Sequence, residues 1–162
     1  RTFEETDVAD WSNRGGMQYI DGMETQIYGT IPGLDNPPPP DHQAAMVNIY
    51  EIDIEFPEIT SFMQSVEQLE ALEAEVGHDD YHMWTEVVSG DSLAKRHYVQ
   101  WADGWDDIML QADPVREAEL ANAAGGEEAY ARLRENMWRS VKTATIHTIQ
   151  NLPDLSFLPE AQ

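Results

Sequence analysis

The sequence contains no cysteine. Disulfides, thiolate catalysis, iron–sulfur clusters and cysteine-bound zinc are therefore excluded. Basic residues are scarce: 9 Lys and Arg stand against 31 Asp and Glu, a formal charge of −22 over 162 residues. A surface of that sign repels phosphate backbones and anionic headgroups, which argues against nucleic-acid partners and anionic membranes. No apolar run approaches the roughly 20 residues that span a bilayer. There is no D-x-[DN]-x-[DN]-G calcium loop, P-loop, dinucleotide-binding glycine fingerprint or nucleophile elbow. The chain opens at Arg1 without an initiator methionine or a signal-peptide pattern, as expected of a processed or partial product.

Hydrophobic residues make up 41% of the chain, enough for a core. With that core assured, the acidity reads as an adaptation of the surface. It suits a periplasmic or extracellular setting, or a high-salt cytoplasm in which ions screen the repulsion.

Four consecutive prolines, Pro37 to Pro40, can join neither a helix nor a central strand. Residues 35–45 read as a semi-rigid linker between an N-terminal segment, 1–34, and a main domain, 46–158. In that domain Val47, Ile49, Ile52 and Ile54 alternate as in a strand. Pro57 then opens a helix in which Ile59, Phe62, Met63, Val66, Leu69, Leu72 and Val76 form one apolar stripe, closed by Gly77. Glu67, Glu70, Glu73 and Glu75 read as its solvated face. Strands over Tyr81–Val88 and His97–Trp101 follow, then a short helix from Trp105. A helix from Pro114, broken at Gly125-Gly126, and a strand over Thr143–Ile149 complete the domain. The order is β-α-β-β-α-β: an α+β, ferredoxin-like fold with a four-stranded antiparallel sheet and both helices on one face.

Val47-Asn48-Ile49-Tyr50-Glu51, the strand holding Trp84, Tyr98-Val99-Gln100-Trp101 with Trp105 after it, and Pro153-Asp154-Leu155-Ser156-Phe157 resemble the dimeric α+β barrel superfamily. That group includes antibiotic-biosynthesis monooxygenase-like, NIPSNAP-like and stress-responsive barrel proteins. The resemblance implies two sheets packed face to face, a pocket between sheet and helices, and a homodimer. An intramolecular tandem repeat is the alternative. Thr25–Leu34 is similar to Thr143–Leu152, and Phe3–Trp11 to Tyr98–Trp105, as in the tail of a first copy. Otherwise residues 1–34 are an extension that adds one strand, Gln26–Ile31, to a sheet edge.

Histidines and tryptophans carry the candidate chemistry. His82 and Trp84 share one face of their strand, and His97 on the next strand could lie close to His82, giving a catalytic set of His82, His97 and Trp84. Asn48, Tyr98, Trp101, Trp105, Trp138 and His147 are candidates to line a ligand pocket. His78, Asp79, Asp80 and His82 could hold a divalent metal. No cofactor is otherwise expected: the resemblance raises haem on His147, and a lone strand histidine does not support it. The function expected is an acidic barrel-type protein that self-associates through its sheet face and binds a small apolar ligand. The alternatives are a cofactor-independent, monooxygenase-like enzyme on a small aromatic substrate and a divalent-cation binder.

Overall fold

Residues 26–78, 80–90, 92–109 and 113–151 are described by the computed structural model. Asp79, the Phe3–Trp11 segment and the Pro153–Phe157 loop lie outside the described residues. In chain order the elements are β1 (Ile27–Asn36), β2 (Met46–Ile54), α1 (Ile59–Val76), β3 (His82–Ser89), β4 (Lys95–Ala102), α2 (Trp105–Met109), α3 (Pro114–Ala123), α4 (Glu127–Arg139) and β5 (Val141–Gln150). The expected β-α-β-β-α-β order is present in β2 to β5.

The strands form one sheet in the order β1-β3-β4-β2-β5, so the sheet has five strands and not the expected four. The additional strand is β1, which pairs antiparallel with the outer edge of β3. It runs on to Asn36, past the Gln26–Ile31 span expected of it, because its register shifts between Thr30 and Asp35. Pro32 and Gly33 fall in that shift. The bulge lets Leu34 turn into the core while Asn36 still pairs with His82.

Local sequence explains the helices. Pro57 sits in a 3-10 turn, Phe56–Glu58, that leads into α1. Gly77 ends α1 in the left-handed region at φ 78°, where a Cβ would be strained. Asp113 caps α3 by accepting a bond from the Val115 N–H at 2.8 Å, and Pro114 occupies the first turn. Gly125 and Gly126 separate α3 from α4, both with positive φ.

Strand alternation sorts side chains between the two faces of the sheet. Tyr50, Ile52 and Ile54 of β2, with Trp84 and Tyr98, pack against Phe62, Val66 and Met137 of the helices. Phe62, Ile54 and Val66 are each 1% exposed and mark the centre of this core. A second cluster, Leu120, Ala121 and Tyr130, joins α3 and α4 to Leu69, Leu72 and Val76 of α1.

The cross-strand rows on the helix-covered face are chemically distinct. Thr148, Asn48, Gln100, His82 and Asn36 pair in sequence across all five strands, forming a polar row. The next row holds Ile146, Tyr50, Tyr98 and Trp84. The uncovered face carries Ile149, Val47 and Trp101 in one row and His147, Ile49, Val99 and Met83 in the next.

Candidate functional site

The aromatic row floors a cavity of about 210 Å³ between the sheet and α1, α3 and α4. Ile52, Phe62, Val66, Trp84 and Leu120 line it and are buried, whereas Trp138 is exposed and stands at its mouth. Tyr50, Tyr98 and Tyr130 bring rings, and Tyr98 packs against both Tyr50 and Trp84 at centroid separations of 5.5 and 5.0 Å. This volume is below the ~300–1,000 Å³ of pockets for drug-sized ligands. A single ring with a short substituent matches it better.

Glu70 and Glu73 also line the cavity. Their treatment as a solvated face is corrected by the helix geometry. Val66, Leu69, Glu70 and Glu73 follow at spacings of three, four and seven, so both carboxylates sit on the buried stripe of α1. The solvated-face reading grouped them with Glu67 and Glu75, which are exposed.

Glu70 is held by two donors. The Trp84 indole N–H donates to its Oε1 at 2.8 Å, and His82 Nε2 lies 2.8 Å from its Oε2. His82 Nδ1 lies 2.8 Å from the Asp80 carbonyl oxygen, which also accepts from Asn36 Nδ2. Both ring nitrogens thus face oxygen acceptors, a pattern that suits imidazolium beside carboxylate. Burial of the ring opposes its charge, but the hydrogen bond and charge of Glu70 outweigh that and hold the His82 pKa above the ordinary value. Glu73 is raised by burial, against the pull of Arg116. The Arg116 guanidinium bonds Glu73 at 3.2 Å and also bonds Asp80. Arg134 holds Glu117 through both carboxylate oxygens, at 2.8 and 2.7 Å. On the far side of Glu70 and Glu73, between α1 and β1, runs a groove of about 680 Å³ that reaches His78 and His82.

The candidate residues from the sequence separate into groups. His82 and Trp84 meet at Glu70. His97 does not join them: it pairs with Thr85 and His82 with Gln100, which places the two histidines on opposite faces. The expected proximity of His82 and His97 is therefore corrected. His97 packs on Tyr28 at 4.4 Å and lies 3.7 Å from Glu51, and burial lowers its pKa despite that carboxylate.

Of the expected pocket residues, Tyr98 and Trp138 line the cavity. Asn48 is buried beside it in the polar row, bonded by the Thr148 hydroxyl at 2.7 Å. Trp101 and His147 belong to the uncovered face, and Trp105 is 60% exposed on α2. Of the expected metal set, His78 pairs with Glu119 at 3.0 Å, Asp80 with Arg116, and His82 with Glu70. Among the described residues no three His, Asp or Glu side chains converge in a metal-binding arrangement.

No family model and no curated protein matches the sequence. Solved structures do match the fold. A NIPSNAP family protein from Agrobacterium tumefaciens superposes with a TM-score of 0.51 at 11% identity, over 75% of this chain and 96% of that one. A candidate monooxygenase from Lactobacillus acidophilus gives 0.47 at 9% identity over 77% of this chain, which spans 49% of that protein's length. A dimeric ferredoxin-like protein from an uncultured marine organism gives 0.47 at 14%, over 73% and 95%. At 11% identity the Agrobacterium protein, of a family named in the sequence resemblance, supports a likeness of fold alone.

Because its folded pKa is raised, His82 stabilises the fold fully below its unfolded pKa of about 6.5 and loses that contribution as pH rises through the folded value. Replacing it with Gln leaves Glu70 without its cationic partner and should cost about 1–3 kcal/mol at pH near 6. Urea unfolding of wild type and His82→Gln at stepped pH checks this. The stability gap should narrow as pH rises, and a gap that widened would contradict the ion pair.

Proposed function

We propose that the protein binds a small, largely apolar aromatic molecule in the cavity between its sheet and helices, and that its uncovered sheet face packs against a second copy of the same unit. The observation that carries the ligand reading is the cavity itself. An open pocket of about 210 Å³ with Phe62, Trp84, Leu120 and Met137 in its walls gains apolar contact when a ligand displaces its water. Single-ring compounds should raise the midpoint of thermal unfolding of the wild type, and Leu120→Trp, which fills the cavity from α3, should abolish that shift. A shift unchanged in Leu120→Trp would place the ligand elsewhere.

The association reading rests on the uncovered face. Val47, Ile49, Met83, Val99 and Trp101 are only partly shielded there, and Ile149 is 54% exposed. This apolar patch is continuous across four strands, as at sites where a partner covers a sheet. Each copy carries −22, so salt should strengthen the pairing by screening repulsion. Sedimentation should give twice the 18.4 kDa mass, with a stronger dimer at higher salt. Val99→Glu should yield monomers, and a monomeric wild type at every salt concentration would sink the reading.

One observation favours turnover as a second reading. Glu70 lines the cavity and is bonded by Trp84 and, from the groove side, by His82, which puts a carboxylate with a histidine partner behind the wall, as acid/base work on a small aromatic substrate by a cofactor-independent monooxygenase-like enzyme would need. Oxygen uptake with a quinol panel, lost in His82→Ala, would support it. An uncatalysed rate throughout would leave binding alone.

A further inference from the structure

We propose that the ligand of this cavity carries a protonated amine, so that the site recognises an aromatic ring bearing an ammonium head. This inference rests on the ligand-binding reading above and adds the charge of the ligand.

The polar wall of the cavity is built to accept hydrogen bonds. Glu70 and Glu73 both contribute to it. Each Glu70 oxygen already accepts one bond, and a carboxylate oxygen has room for a second. The Tyr98 hydroxyl lines the same cavity and has no hydrogen bond among the described residues, although burial, ahead of the nearby Glu73 and Glu70 carboxylates, pushes its pKa well above the ordinary range. A hydroxyl that faces the cavity without a protein partner offers an acceptor to a polar group on whatever fills the space. An ammonium offers three donors and no acceptor, which suits two carboxylates and a phenol oxygen.

The cations of the wall are already committed. Arg116 is shared by Glu73 and Asp80, and Arg134 is held by both oxygens of Glu117. An anionic head would have to displace one of these pairs while facing Glu70. A cation meets no such competition. His82 balances Glu70 from the groove side, whereas Glu73 shares Arg116 with Asp80. The ring faces of Trp84, Tyr98 and Tyr130 add attraction for a positive charge. Tyr130 already receives Arg134 in this manner, with the guanidinium carbon 5.7 Å from its ring centre. The charge of −22 concentrates small cations near the whole surface.

Titration calorimetry on the full chain, with 2-phenylethylamine, 2-phenylethanol and 3-phenylpropionate as probes, tests the inference. Ethylamine serves as the control for attraction to the surface, at a salt concentration of about 0.15 M. The amine should bind at least about tenfold more tightly than the alcohol, with 3-phenylpropionate and ethylamine weakest. Glu70→Gln and Glu73→Gln should each remove most of the preference for the amine over the alcohol. Tyr98→Phe gives a milder loss in a variant that keeps both carboxylates. If the alcohol or the carboxylate equals the amine, the ammonium inference falls and the cavity reading stands. If no aromatic probe binds, both fall.

Discussion

The register between β2 and β4 is the constraint on which the site depends. The two strands pair from Met46–Ala102 to Asp53–Lys95 without a bulge. Because side chains alternate, a slip of one residue would put Tyr50 and Tyr98 on opposite faces, turning one of them to the uncovered face and bringing either Val47 and Ile49 or Val99 under the helices. The floor of the cavity, the Trp84 bond to Glu70 and the polar row beside them all follow from this pairing. The helices complete it: Phe62 and Val66 fill the space over Ile52 and Ile54, and the next turns of α1 lower Glu70 and Glu73 onto the aromatic row.

The polar row has a cost and a use. Asn48 and Gln100 are each 2% exposed, so their amides give up water. Asn48 recovers a bond from Thr148, and His82 recovers two, to Asp80 and Glu70. Gln100 Oε1 has no partner among the described residues. Beside an aromatic row that needs only dispersion, such a row restricts which pairings the sheet can adopt, since any shift would strand several amides at once.

Much of the fold was legible in the chain because its signals are local. The apolar stripe of α1, the Pro57 and Gly77 boundaries and the Gly125-Gly126 break each act through nearby backbone, and all appear where expected. The extent of β1 was not legible, because Asp35 and Asn36 look like the start of a proline linker and become strand only by pairing with Met83 and His82. His82 and Trp84 were identified from alternation within one strand. The separation of His82 from His97 depends on the offset between β3 and β4, which hairpin length alone left open. Glu70 and Glu73 were readable in principle from their spacing to Val66. Four glutamates on one helix form a charge pattern that masks their different positions around its axis.

The two borders of the sheet differ in what further strands they could accept. On one side β1 is interrupted by Pro32 and by the shift before Asp35, so its outer backbone is a poor template for another strand. On the other, β5 presents a ten-residue strand exposed beyond Val141. A subunit with two good borders can add neighbours without end and grow into a filament. With one good border, strand addition can only match β5 to β5 about a two-fold axis, and the paired sheet offers no further good border to another strand. Blunting one border therefore makes any association by strand pairing finite.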